Sequence, residues 1–113
     1  MYLHQFDDFV GPAVEAALAE IRADTLFIGT DGVSIERAFT TDNVLEAGLY
    51  RNMARAARRV VLVTDSSKIG VDKLQTTLSF ADIHTFITDS AAPAEFTEML
   101  RSRGIEVILA EEK

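Results

Sequence analysis

Asp24-Thr-Leu-Phe-Ile-Gly-Thr-Asp-Gly32 is a short apolar run that breaks into small and polar residues, and Val60-Val-Leu-Val-Thr-Asp-Ser-Ser-Lys68 repeats the pattern further along the chain. Val60 to Val63 carries no polar alternation, the mark of a strand covered on both faces and so of a central strand in a parallel sheet. Small ligands of open α/β sheets sit in the crevice beyond the carboxyl ends of the strands. The loops Gly29 to Gly32 and Asp65 to Lys68 are therefore where binding or chemistry is expected.

Working outward from these strands, Val14, Ala17, Leu18 and Ile21 recur at helical spacing and Pro12 suits a first-turn position, so a helix should lead into the strand Thr25 to Ile28. Asp42 or Asn43 can cap the next helix, with Glu46 in the capping-box position after Asn43. Leu45, Leu49 and Met53 then mark an apolar stripe on a helix running to about Arg58. Ile83 to Thr88 reads as a third strand, Pro93 to Arg103 as a helix that Gly104 stops, and Ile105 to Leu109 as the last strand. This alternation predicts an α/β fold: an open, mostly parallel sheet flanked by helices and built from right-handed βαβ units, with no repeat or linker dividing it. The segment Ile69 to Ala81 fits neither period, and a short helix, an edge strand and a flap all remain open for it.

The 113 residues, 48% of them hydrophobic, suffice for one modest core, hence one domain or part of one. A net charge of −7 repels phosphate backbones and anionic lipid, which argues against direct nucleic-acid binding by this chain. Without cysteine there is no disulfide framework, thiolate nucleophile or cysteine-ligated zinc, and His4 and His84 are too isolated to make a metal site, so neither metal nor cofactor is expected. No apolar run approaches the ~20 residues that span a bilayer, and Met1 to Val10 lacks a basic region followed by an apolar block. The expectation is a cytoplasmic protein without signal peptide or membrane anchor.

Gly29-Thr-Asp-Gly32 can turn sharply after a strand and present backbone N–H groups, with Asp31 as an acceptor for a sugar hydroxyl; an ordinary βα turn explains it equally well. Asp65, Ser66, Ser67 and Lys68 place a carboxylate, two hydroxyls and an ammonium at a second strand end. Lys68 there can neutralise a phosphate, or it can be a solvated loop lysine beside a capping Asp. Arg51, Arg55, Arg58 and Arg59 fit a solvated helix face better than a partner or nucleic-acid patch. His84 alternates with strand residues and fits a packed or hydrogen-bonded histidine better than a base. Asp89-Ser90 can line the same crevice or cap the helix that follows it.

Taken together, Ala23-Asp-Thr-Leu-Phe-Ile-Gly-Thr-Asp-Gly32, Ala38-Phe-Thr-Thr41 with Glu46-Ala47, Val63-Thr-Asp-Ser-Ser-Lys68 and Ile87-Thr-Asp89 resemble, in order and spacing, the C-terminal effector domain of the DeoR family of bacterial transcriptional regulators. The resemblance runs from about Phe9-Val-Gly-Pro12 to Ile105-Glu-Val-Ile-Leu109, nearly the whole chain. It implies the fold shared by ribose-5-phosphate isomerase, glucosamine-6-phosphate deaminase and CoA transferases. It also implies a sensor of a phosphorylated sugar, attached to an N-terminal winged helix-turn-helix that binds operator DNA. On that resemblance Gly29, Thr30, Asp31 and Gly32 would face the sugar, and Asp65, Ser66 and Lys68 would lie near its phosphate or hydroxyls, with Thr40 and Thr41 as neighbours.

The chain departs from the family pattern in having neither the helix-turn-helix nor the upstream half of the effector domain with its Gly-Ser/Thr phosphate loop and Thr-Asn strand end. It is expected to be a single partial domain over residues 1–113, the last part of a regulator that forms homo-oligomers. The deaminase relatives carry a Gly-Asp-Gly-His type loop where this chain has Gly29-Thr-Asp-Gly32, and Val33 stands in the place of the histidine. Loss of that ring-opening group favours sensing over turnover, so the resemblance implies no enzyme. The competing readings are a small sugar-phosphate isomerase or deaminase of the same fold, and a module that only oligomerises.

Overall fold

A computed structural model describes residues 25–111, so the helix expected around Pro12 to Ile21 and His4 lie outside the described residues. The main sheet has four parallel strands, β1 (Thr25–Ile28), β4 (Arg59–Val63), β6 (Thr85–Asp89) and β7 (Glu106–Ala110), in the order β1-β4-β6-β7. β4 pairs on both sides, Phe27 opposite Val61 and Val63 opposite Ile87, which makes the unalternated Val60 to Val63 run central as its composition requires. The strand ends differ by a residue or two from the sequence reading: β6 starts at Thr85 rather than Ile83, and β7 spans Glu106–Ala110.

Each step in this order moves the same way across the sheet, and right-handed crossovers then fall on one face. The core bears this out. Leu26, Ile28, Val60, Leu62 and Phe86 point to the same cluster as Tyr50 of α1 (Val44–Ala56) and Phe96 and Leu100 of α2 (Ala94–Ser102). The opposite face carries a separate cluster of Val61, Ile87 and Ala110, flanked by Phe27, Val63 and Ile108, to which neither described helix contributes.

A second, antiparallel sheet is the element the sequence did not announce. It consists of β2 (Gly32–Ser34), β3 (Ala38–Thr41) and the two-residue β5 (Gln75–Thr76), in the order β2-β3-β5. The open segment Ile69 to Ala81 thus resolves into a bridge from Ile69 to Val33, an edge strand, and a 3-10 turn at Phe80–Asp82. Phe39 joins this sheet to the main core: its ring lies edge-on to Phe80 at 5.2 Å, and Phe86 lies edge-on to Phe96 at 5.7 Å. Such pairs add roughly 0.5–1.5 kcal/mol each beyond the area they bury.

Helix α1 decides between the two expected caps and departs from the expected end and apolar stripe. Its cap is Asn43, whose Oδ1 accepts from the backbone N–H of Leu45 at 3.0 Å and of Glu46 at 3.2 Å; Asp42 instead accepts from the N–H of Leu74. The helix ends at Ala56 rather than Arg58, because the next residues open into β4. The stripe Leu45, Leu49 and Met53 does not form its buried face: Leu45 is 85% and Leu49 52% exposed, whereas Ala47 and Tyr50 are buried and Met53 packs only partly. Apolar spacing identifies a face but not its neighbour, and this helix has apolar residues on two sides. α2 starts after Pro93, and Gly104, with φ of 82°, provides the left-handed stop.

Candidate functional site

The carboxyl ends of β1 and β4 are adjacent, with Ile28 paired to Leu62, so the loops that follow them share one rim. Between them opens a cleft of about 380 Å³ lined by Gly29, Thr30 and Asp31 from the first loop, Thr64, Asp65 and Lys68 from the second, Thr40 and Thr41 from β3, and Glu46 and Tyr50 from α1. The expected residues Gly29, Thr30, Asp31, Asp65 and Lys68 are thus brought together. Gly32 and Ser66 are adjacent to the cleft but not among its lining residues.

The position of Gly32 has a physical reason. A Cβ there would lie 2.3 Å from the carbonyl oxygen of Val71 and 3.0 Å from Thr40 Oγ1. Glycine is needed there because the Val71 backbone crosses directly over β2. Lys73 N–H donates to Thr40 Oγ1 at 2.9 Å and Gly70 N–H to the Val33 carbonyl at 2.7 Å, which hold that segment down. Arg37 completes the strap by donating to the carbonyls of Lys73 and Leu74.

Asp31 is not engaged in an ordinary βα turn with its own backbone. Its Oδ2 accepts the Thr41 hydroxyl at 2.7 Å, and Thr41 Oγ1 in turn accepts the N–H of Asn43 at 3.2 Å. The carboxylate is thereby connected to the cap of α1. Thr30 Oγ1 donates to the carbonyls of Gly32 at 2.8 Å and Thr40 at 3.2 Å, fixing the loop against β3. Glu46 and Tyr50 are among the wall residues that the sequence did not single out. Glu46 does double duty: Asn43 Nδ2 donates to its Oε2 at 3.4 Å, a side-chain contact and not the expected capping box, because the Asn43 backbone N–H goes to Thr41, while Tyr50 OH donates to its Oε1 at 3.3 Å inside the cleft. Their i, i+4 spacing on a helix whose first turn faces the strand ends was the available signal.

The second loop is a 3-10 turn, Ser66–Lys68, capped by Asp65, whose Oδ1 accepts from Ser67 N–H at 2.9 Å and also from the Ser67 hydroxyl. Asp89, at the end of β6, neither lines the cleft nor caps α2. Its Oδ2 accepts from Ser66 N–H at 2.8 Å and its Oδ1 from Ala91 N–H at 2.9 Å. Burial opposes ionisation of Asp89, but the hydrogen bonds from Ser66 and Ala91 outweigh it and hold the carboxyl below its ordinary value.

His84 sits at the other end of the sheet, where its Nδ1 accepts from Val60 N–H at 3.0 Å. Val33 is fully buried in β2. The arginines expected along this helix are spread over separate tasks: Arg51 of α1 donates to the Thr76 carbonyl, and Arg59, which belongs to β4, pairs with Glu106 at 2.9 Å. Among the described residues no group of three or more His, Asp or Glu side chains could hold a metal ion, and no helix is long and apolar enough to cross a membrane.

The DeoR C terminal sensor domain matches residues 1–90 of this chain. The chain is 39% identical over 108 residues to a putative aga operon transcriptional repressor of Escherichia coli O157:H7, covering 96% of this chain and 40% of that protein. It is 36% identical over 99 residues to the HTH-type transcriptional regulator GlpR of Haloferax volcanii, covering 88% of this chain and 39% of that one. A third relative, the HTH-type transcriptional repressor CsqR of Escherichia coli K12, is 28% identical over 103 residues, or 91% of this chain and 40% of its own length. The chain therefore spans about 40% of the length of these relatives. With the sensor domain matched over most of its residues, and regulators of one kind matched along nearly all of them, this chain belongs to the DeoR family of transcriptional regulators.

Proposed function

We propose that this chain is the effector-sensing portion of a DeoR-type transcriptional repressor and that its cleft binds a phosphorylated sugar. The observation that carries this reading is the composition of the cleft. Asp31, Glu46 and Asp65 supply acceptors for sugar hydroxyls, Tyr50 and Thr41 supply hydroxyl groups, and Lys68 supplies the one cation among the described lining residues. A polyol bearing a single anionic group matches that set, with the anion at Lys68 and the hydroxyls toward Asp31 and Glu46.

The same composition favours sensing over turnover. No histidine is among the described lining residues, and Val33, next to Gly32, turns a buried apolar side chain into the core where an acid/base group would be needed. Binding energy is then available to shift the population between operator-competent and released arrangements of the whole regulator. Operator DNA would be reached through a domain outside this chain. Calorimetric titration with a panel of pentose, hexose and hexosamine phosphates tests the reading. Saturable binding of at least one phosphate ester, without turnover, is expected. Steady conversion of any of these compounds that Asp31→Ala abolishes would replace the sensor by an isomerase or deaminase.

A further inference from the structure

None of Ser66, Ser67 and Lys68 is buried, so the turn that carries Lys68 has no hydrophobic anchor of its own; Ile69, which closes it at the far end, is packed against the core. Its internal hydrogen bonds, Ser67 N–H to Asp65 Oδ1, Lys68 N–H to the Asp65 carbonyl and Ile69 N–H to the Ser66 carbonyl, define its shape but not its place on the sheet. Placement comes from its two ends. The far end is tied to β2 through the Ile69–Val33 bridge and the Gly70 N–H bond to the Val33 carbonyl. The near end is tied to Asp89, which sits on a different strand, β6, opposite Ala110 of β7.

We propose that Asp89 is a positioning residue of the cleft: by accepting the Ser66 N–H it sets the Asp65 to Lys68 turn, and with it the Lys68 ammonium, for the anionic group of the ligand. The inference rests on the reading of Lys68 given above. Both Asp89 oxygens are occupied by backbone N–H groups, from Ser66 and Ala91, and no ion pair is formed by this carboxylate among the described residues. The side chain is thus used as a two-amide clamp between the loops after β4 and β6. Only a carboxylate offers acceptors on both arms; an asparagine must turn an N–H₂ toward one of the two N–H groups. The low proton affinity of Asp89 agrees with a charged acceptor in this role.

The clamp can be cut from either side. Asp89→Asn weakens it with little change in volume. Ser66→Pro removes the donor and leaves Asp89 on Ala91. Proline suits that site, because Ser66 opens a helical turn and Asp65 before it is extended, with φ of −78° and ψ of 161°. The probe is inorganic phosphate, titrated by NMR against this chain and its variants, with thermal unfolding of each variant as a control on folding. In the parent chain phosphate should saturably shift the Lys68 resonances together with the backbone amides of Gly29 to Asp31 across the cleft, and Lys68→Ala should weaken binding read at those amides while leaving it measurable. Asp89→Asn and Ser66→Pro should each weaken phosphate binding by about 3- to 10-fold, and neither should weaken it further when added to Lys68→Ala, since residues acting through one contact are not additive.

Unchanged phosphate affinity in Asp89→Asn and Ser66→Pro, with Lys68→Ala defective, overturns the positioning role and leaves the reading of the cleft standing. Equal losses in the presence and absence of Lys68 overturn it as well, by showing a general effect on the fold. No response to phosphate at Lys68 in the parent chain overturns the assignment of Lys68 itself, and the role of Asp89 with it.

Discussion

Replacing Gly32 by alanine tests the claim that the fold itself requires glycine at this position. The added Cβ would meet the Val71 carbonyl oxygen at 2.3 Å, a backbone atom that cannot rotate away. If the Val71 segment yields, the Gly70 to Val33 and Lys73 to Thr40 hydrogen bonds loosen together, at about 1 kcal/mol each. If it does not, the overpacking strain is about 1–3 kcal/mol. Alanine also narrows the unfolded ensemble, which offsets about 0.4–1 kcal/mol. Gly32→Ala should therefore destabilise by about 1–2 kcal/mol after that offset, a sizeable part of the ~5–15 kcal/mol that holds a typical domain together. Gly29→Ala is the matched control, because its Cβ would rest at an ordinary 3.6 Å from the Val63 carbonyl and the entropic gain is not opposed. Urea unfolding should show the midpoint of Gly32→Ala clearly lowered and that of Gly29→Ala unchanged or slightly raised. Equal midpoints for the two variants would refute the reasoning.

Four further outcomes are expected. Lys68→Ala in the full-length regulator should weaken the effector by about 1.5–3 kcal/mol in calorimetry, the value of a hydrogen bond to a charged group, with operator binding in the absence of effector unaffected. Because the folded-state pKa of Asp89 is depressed, its contribution to stability is present above the ordinary carboxylate pKa and is lost as pH falls through the folded value. The stability gap between the parent and Asp89→Asn in urea should accordingly hold at neutral pH and close in acid. With a net charge of −7, the isolated chain should give no sequence-specific gel shift with operator DNA at near-physiological salt. Val44, Leu45 and Leu49, all more than half exposed on α1, should promote self-association visible in sedimentation, and Leu45→Glu with Leu49→Glu should reduce it.

The parallel sheet was legible because Leu26 to Ile28 in β1 and Val60 to Val63 in β4 are uninterrupted apolar runs, each followed by a small or polar turn. Asn43 and Gly104 were legible as punctuation. The antiparallel sheet was not, and the reason is chemical: β3 reads Ala38-Phe-Thr-Thr41, and its threonines are buried through hydrogen bonds rather than hydrophobicity, Thr40 to the Lys73 N–H and Thr41 to Asp31. Ala38 adds a backbone at φ of 60°, a conformation nothing in the residue type announces. In the cleft, Asp31 and Lys68 stood out as polar residues at strand ends, whereas Glu46 was hidden by its second role at the helix cap. The function of Asp89 depends on which strand lies beside β4, and that neighbour is a property of the topology, not of the local sequence.

Every described residue that lines the cleft falls between Ile28 and Thr77, while β6, α2 and β7 follow later in the chain. Specificity and support are thus written in consecutive blocks. A recombination joint placed just after Thr77 would transplant the described walls of the cleft intact onto the second half of a relative, provided the recipient keeps an acceptor where Asp89 stands. New effector preferences can arise in one block under little constraint from the other, and chimaeras cut at that joint are the natural route to exchanging what such a domain responds to.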